Sequence, residues 1–202
     1  MATYETSLHY SGTISLNFDP AKHHYTVDKK TIDGVTSVLS IIAKPALVFW
    51  SSNMAAKYIE DHLPVGVPID ELEKKKLVEG AKKAHRTFLK DAGDLGTMLH
   101  ELVEKYIKKE PYMEPMNEIL LKSFNRFRGW VTEKNVQFLE SEKKIYSKQH
   151  NYCGTLDFVA KIDGKLILGD LKTSSGCWPE YQLQLAAYKQ AFQEEFPEIK
   201  ID

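Results

Sequence analysis

The chain has 202 residues, 43% of them hydrophobic and 27% charged, which suits one soluble globular domain with a core large enough to need no disulfide support. Its 27 basic and 28 acidic residues leave a net charge of −1, so nucleic-acid binding would have to rest on a local basic surface and not on bulk charge. Cys153 and Cys177 are the only cysteines; with no CxxC pair, no secretory leader and no apolar run near the ~20 residues of a membrane span, the expectation is a cytoplasmic protein without a disulfide framework or a cysteine-ligated metal.

Residues 8–35 alternate irregularly, with Tyr25, Val27 and Ile32 set between turn-prone Asp-Pro and Asp-Lys-Lys segments, and read as short strands or a hairpin. A helix capped by Thr36 or Ser37 is expected through Val38, Leu39, Ile41 and Ile42, interrupted at Lys44-Pro45. A second helix follows through Leu47, Trp50, Met54 and Tyr58, where Trp50 reads as core. After a loop from Pro64 to Pro68, Asp70 is expected to cap a helix running to about Lys90, with Val78, Ala81, His85 and Phe88 on its buried side. Its other side carries Lys76, Lys83, Arg86 and Lys90, either a solvated face or a track for a phosphate backbone.

Asp91 to Gly96 is expected to break that helix before another, from Thr97 to Lys109, with Leu99, Leu102, Val103 and Tyr106 on its core face. His100 falls at the edge of this face with Glu104 one turn on; the segment is not a zinc-protease HExxH motif, because Glu104 stands where the second His is required. A loop over Pro111–Pro115 leads to a helix ending near Lys134, burying Ile119, Leu120, Phe124, Phe127 and Val131 and presenting Lys122, Arg126 and Arg128. Val136 to Tyr146 reads as a strand with Glu142 among its polar positions, and Pro179 opens a final helix to about Phe196.

Between these lie two apolar runs flanking Asp163-Gly164, a dipeptide suited to a type I′ hairpin turn. Pairing Ile162 with Lys165 places Asp157 opposite Asp170 and Thr155 opposite Lys172. Like charges facing each other across a sheet are destabilising unless a positive group lies between them, and a divalent cation together with a lysine supplies one. Alternation puts Asp170 and Lys172 on one face with Leu171 on the other. Gln184 and Tyr188, at i and i+4 in the last helix, share a face with Tyr181 and can point at a ligand.

These pieces resemble the PD-(D/E)XK nuclease superfamily, in its branch of RecB nuclease domains, CRISPR-associated RecB-like exonucleases, phage exonucleases and the mitochondrial genome-maintenance exonuclease. Gly96-Thr-Met-Leu-His100 is similar to the branch's GTxxH, Gly154-Thr-Leu-Asp157 to GxxD, Asp170-Leu-Lys172-Thr-Ser174 to DxKTS, and Gln184-Leu-Ala-Ala-Tyr188 to QxxxY. The resemblance implies an α/β (α+β) fold, restriction-endonuclease-like, with a central mixed β-sheet flanked by helices. It implies a single domain over 1–202, mostly helical over 1–95 and with its catalytic core over 96–202. It also implies a metal-dependent DNA nuclease, an exonuclease on single-stranded DNA or duplex ends in recombination, repair or phage replication.

Carried onto this sequence, His100, Asp157, Asp170 and the Leu171 carbonyl hold Mg²⁺ or Mn²⁺, Glu104 is a further candidate for a second metal or for orienting His100, and no iron–sulfur cluster is expected. Lys172 serves the nucleophilic water or the developing phosphoryl charge, while Gln184 and Tyr188 orient Lys172 or touch the DNA backbone. Lys76, Lys83, Arg86, Lys90, Lys122, Arg126, Thr173 and Ser174 are the expected DNA contacts. The chain ends at Asp202, where many relatives continue into further strands, so a short core or one completed by a partner or a second copy is expected. Three other readings compete: a non-catalytic DNA-binding module of the same fold, an endonuclease of that fold, and a salt-bridged triad of Asp157, Asp170 and Lys172 in a half-buried sheet. Paired carboxylates for glycoside hydrolysis leave Lys172 and His100 without a role.

Overall fold

The computed structural model describes residues 4–42, 44–174 and 176–201. In chain order the elements are β1 (Glu5–His9), β2 (Ile14–Asp19), β3 (His24–Val27), β4 (Lys30–Gly34), α1 (Val35–Leu39), α2 (Pro45–His62), α3 (Glu71–Lys108), α4 (Glu118–Glu133), β5 (Gln137–Ser147), β6 (Tyr152–Ile162), β7 (Lys165–Gly169) and α5 (Pro179–Glu195). The chain divides into two compact units, one of Met1–Ile41 with Met98–Asp202 and one of Ile42–Thr97. This differs from the expected division at residue 95, because the first strands belong with the motif-bearing segments and only the middle of that region is a helical unit.

The first unit is an α+β arrangement around a seven-stranded sheet, mostly antiparallel, with strands in the order β1-β2-β3-β4-β6-β5 and β7 paired to β6. The irregular alternation of residues 8–35 becomes a meander, since Tyr10, Ser11, Asp28 and Lys29 adopt the left-handed backbone that tight turns require. Residues Cys153 to Ala160 of β6 are buried except Thr155, the pattern of a central strand covered on both faces.

Along one edge β6 is paired throughout by β5; along the other it is shared, β4 running parallel to it at Tyr152 and Cys153 and β7 antiparallel from Phe158 to Ile162. Between the ends of β4 and β7, residues 154–157 of β6 have no strand beside them on this second edge. The sheet therefore forks along β6, and the fork opens where both neighbouring strands reach their C-terminal ends.

The Asp163-Gly164 turn forms as expected, with φ of 50° and 76°, and Ile162 pairs with Lys165. The ladder stops at Phe158–Gly169, so Asp170 and Lys172 lie just past the strand and the expected pairings with Asp157 and Thr155 are not part of it. Gly169 explains the close packing there: a Cβ at this position would sit 2.0 Å from the Phe158 ring.

Helix α5 covers the sheet through Ala191 and Phe192, with Leu185 and Ala187 partly buried against the same cluster. Its C-terminal end is fixed by Glu195, which accepts from the Tyr10 backbone at 2.9 Å and contacts His9 Nδ1 at 2.8 Å, and by Glu194, which accepts from Ser147 at 2.9 Å. These contacts set the rotation of the helix that carries Gln184 and Tyr188.

Several local expectations are corrected. Helix α1 begins at Val35 after Gly34, with no side-chain cap from Thr36 or Ser37, and ends before Ile41 and Ile42. Helix α3 runs unbroken through Asp91–Gly96: each glycine costs about 1 kcal/mol relative to Ala, too little to break a long helix that contains no proline. Its start is as expected, Asp70 and Glu73 exchanging reciprocal backbone-to-carboxylate hydrogen bonds of 2.7 and 3.0 Å.

On α4, Ile119 is 65% exposed; the helix, capped by Asn117 through the Ile119 and Leu120 backbone N–H groups, turns Leu120, Phe124 and Phe127 to the core instead. In the helical unit Trp50 is half-buried, with its ring edge-on to Phe88 at 5.6 Å, while Val78 and Phe88, expected inside, are exposed. Among the described residues no helix is long and apolar enough to cross a membrane.

Candidate functional site

The fork in the sheet holds a cavity of about 300 Å³. Its floor is Gly154, Thr155 and Asp157 of β6; His100 of α3, Glu142 of β5, Asp170, and Gln184 and Tyr188 of α5 also line it. Gly154 is required by this packing, since a Cβ there would lie 2.6 Å from Tyr188 Cε1.

Asp157 is the centre of the group and is buried. One carboxylate oxygen contacts His100 Nδ1 at 2.9 Å and the other accepts from the Leu171 backbone N–H. Asp170, past the end of β7, accepts from Gln184 Nε2 at 3.0 Å and pairs with the Lys172 ammonium. Gln184 Nε2 also donates to the Tyr188 hydroxyl at 2.8 Å, and Lys172 Nζ lies 5.2 Å from the centre of the Tyr181 ring. Gln184 thus reaches Asp170 directly and Lys172 only through it, while Tyr188 holds Gln184.

Glu142 is the residue the sequence reading did not assign. Flanking pairs Ser141–Phe158 and Lys143–Leu156 put it across the strands from Asp157, so Asp157 stands between two acids, one on each side. One donor atom each from His100, Glu142 and Asp157 lies within 4.8 Å of the others. Glu142 has a left-handed backbone, φ 49°, inside a strand, a conformation that costs on the order of 1–3 kcal/mol and concentrates at functional sites.

The electrostatics follow from burial and crowding. Burial first, then the Asp157 and Glu104 carboxylates, push Glu142 up to about 7. Burial also raises Asp170, against the lowering effect of Lys172. His100 is raised, chiefly by its hydrogen bond to Asp157. Burial pushes the Tyr25 phenol up to about 12 and raises Tyr188 as well, so both stay neutral hydrogen-bonding groups. Glu104 is engaged by Lys108 and stands outside the close group of His100, Glu142 and Asp157.

A second cavity of about 400 Å³ is lined by Lys172, Thr173, Ser174, Ser123 and Arg126, with Leu99, Phe127, Trp130, Phe158 and Leu171 as its apolar part. Three of the expected DNA contacts, Arg126, Thr173 and Ser174, are therefore brought together beside Lys172. Lys122 is exposed one turn before Arg126, while Arg128 is paired with Glu114 at 2.6 Å. Lys76, Lys83, Arg86 and Lys90 are all exposed on α3 within the helical unit.

Comparison of the chain with protein-family models gave no match, and comparison with curated proteins gave none either.

Proposed function

We propose that this protein is a divalent-metal-dependent DNA nuclease with a restriction-endonuclease-like fold, hydrolysing phosphodiester bonds at the fork along β6. The single observation that carries the reading is the meeting there of His100, Glu142, Asp157 and Asp170 from four different segments, with Lys172 paired to Asp170. A purely structural triad has no use for an imidazole and a third carboxylate in the same recess, and no use for a strained backbone at Glu142.

The donor set fits a hard divalent cation. Carboxylate oxygens with one imidazole nitrogen suit Mg²⁺ or Mn²⁺, and the proton held on Glu142 up to about pH 7 by burial and neighbouring charge is one that a cation displaces. His100, Glu142 and Asp157 would hold the ion, joined by Asp170 and the Leu171 carbonyl as the family resemblance implies. When bound, the ion supplies Lewis-acid polarisation of a phosphoryl oxygen and a lower pKa for a bound water.

The chain's own groups do the rest. Gln184 fixes Asp170 by hydrogen bonding one carboxylate oxygen, leaving the other to steer the Lys172 ammonium. Lys172 contributes positive charge where the phosphoryl group gains negative charge. The Leu171 N–H and His100 together orient the Asp157 carboxylate. Arg126, Thr173 and Ser174 receive the phosphates that flank the one being cut.

The test is incubation of the protein with end-labelled single-stranded, duplex and circular DNA in Mg²⁺, Mn²⁺ or EDTA, beside Asp170→Ala and Lys172→Ala. Cleavage that needs metal and is lost in both variants is expected. Tight DNA binding with no cleavage in any metal would replace this reading by a non-catalytic binding module.

A further inference from the structure

The helical unit of Ile42–Thr97 has a recess of its own, about 340 Å³ in volume, which shares no residue with the two cavities beside Asp170. Tyr58 and His62, one turn apart at the end of α2, form one side of it. Their rings stack at 4.0 Å with planes 13° apart. His62 Nδ1 lies 2.8 Å from the Tyr58 carbonyl oxygen, which can only accept, so Nδ1 donates there and Nε2 is left without a protein partner. Tyr58 lies across α3 at Gly80, where a Cβ would come within 2.2 Å of its hydroxyl. The two rings are therefore a fixed platform and not a pair of loose surface side chains.

The remaining walls are of two kinds. Pro64, Ile69 and Leu77 are apolar, while Glu73 and Lys76 stand on the first turns of α3. Glu73 uses Oε2 to accept from the Asp70 backbone at 3.0 Å and keeps Oε1 free. Elsewhere on this helix lysines are neutralised locally, Lys74 by Glu71 at 3.3 Å and Lys82 by Glu79 at 2.9 Å. Among the described residues no hydrogen bond or ion pair engages the side chains of Lys76, Lys83, Arg86 or Lys90, and all four are exposed. Lys76, Lys83 and Lys90 recur every seven residues, close to two helical turns, so they form a row nearly parallel to the axis with about 10.5 Å between members. Lys76 belongs to both features, the recess and the row.

A flat heterocycle attached to a chain of phosphates fits this combination. The base stacks on the ring platform against the apolar residues, an N–H of the base donates to Glu73 Oε1, and the phosphates follow the unpaired cations away from Lys76. At about 340 Å³ the recess is near the bottom of the ~300–1,000 Å³ range of small-molecule pockets, room for one base and not for a base pair.

We infer that this recess takes one unpaired nucleobase from within a single strand, whose backbone then runs along Lys76, Lys83 and Lys90. The base needs only to be unstacked, so an internal position of the strand serves and no free end is required. The inference concerns binding by the helical unit and stands apart from the chemistry proposed at the fork.

Binding is measured in EDTA, so that the outcome does not depend on metal-dependent cleavage. The full chain, as wild type, His62→Ala and His62→Phe, is titrated with labelled oligothymidylate, linear and circular, with an abasic strand of equal length, with duplex and with deoxythymidine 5′-monophosphate, over a range of salt; thermal melting checks folding. His62→Ala is expected to weaken oligothymidylate binding at least about fivefold, the size of one lost base–aromatic stack, without changing the slope of log affinity against log salt. His62→Phe, which keeps a ring, should stay within about twofold of wild type. Abasic strand and duplex should not distinguish the variants, and circular and linear strands should bind alike. His62→Ala equal to wild type, an equal loss on the abasic strand, a preference for linear over circular strands, or no binding of single strands at all would overturn the inference. Deoxythymidine 5′-monophosphate bound as tightly as the strand would also overturn it, making the recess a site for free nucleotides. Should His62→Ala fail to fold, Ile69→Trp, which fills the recess from the loop side, replaces it with the same outcomes.

Discussion

The two cavities on either side of the Asp170-Leu171-Lys172 segment differ in charge: one is lined by Glu142, Asp157 and Asp170 with His100, the other by Lys172 and Arg126 with Thr173 and Ser174. One short segment supplies both, Asp170 to the acidic recess and Lys172 to the basic one, and the two side chains remain paired to each other. Phosphodiester hydrolysis asks for this separation. In the proposed function the acids would collect a cation and the basic groups the phosphates, with the bond to be cut where the two regions meet.

If the division holds, variants on each side should fail in different ways. The largest effect is expected from Lys172→Ala, a loss of about 10²–10³ in cleavage rate, the size seen when one transition-state donor is removed, with Mn²⁺ binding retained. Equal loss of Mn²⁺ binding would merge the two regions into one.

Next comes Arg126→Glu, which should weaken single-stranded DNA binding about tenfold at low salt and reduce the slope of log affinity against log salt by roughly 1 or more, again with Mn²⁺ binding intact. The same reversal at Lys83 and Arg86 asks whether the stripe on the helical unit is a phosphate track; unchanged affinity returns it to a solvated face.

Gly154→Ala tests the acidic side through packing alone. The added methyl meets the Tyr188 ring, so a loss of about 1–3 kcal/mol in stability is expected from overpacking, measured by urea denaturation. Activity should fall with it, because Tyr188 carries Gln184 and through it Asp170.

The smallest effect is one of pH. Glu142 titrates near 7 in the folded protein, above the ordinary carboxyl value of 4.5, so the fold keeps this proton longer than the unfolded chain does. Without metal, stability from this group is complete below about pH 4.5 and falls as pH rises through 7. Glu142→Gln in EDTA should therefore stabilise the protein at pH 8 by roughly 1–3 kcal/mol and do little near pH 4.5. A gain independent of pH would remove the crowded-carboxylate account.

Much of the site was legible because its chemistry is local. Asp163-Gly164 demands one turn type, and the turn fixes the β6–β7 register; Asp170 and Lys172 then fall together whatever else the chain does. Gln184 and Tyr188 were legible from helical spacing. Glu142 was not, because its place opposite Asp157 depends on the β5–β6 register, set across the loop 148–151 and interrupted by an irregularity between Phe138 and Glu140. The fork itself was hidden for a similar reason. The parallel pairing of β4 with β6 brings Asp33 beside Tyr152, a contact between distant segments that no local pattern encodes. Helix α3 is the opposite case, since Gly93 and Gly96 look like breakers in the sequence but cost too little free energy to interrupt it.

In the proposed function the acidic recess binds a divalent cation through Asp157. Titration of the wild-type protein with Mn²⁺ at pH 8, reading free Mn²⁺ by electron paramagnetic resonance, tests it most directly. Saturable binding that is lost in Asp157→Asn and preserved in Arg126→Glu is expected. Wild-type binding no tighter than that of Asp157→Asn would contradict it.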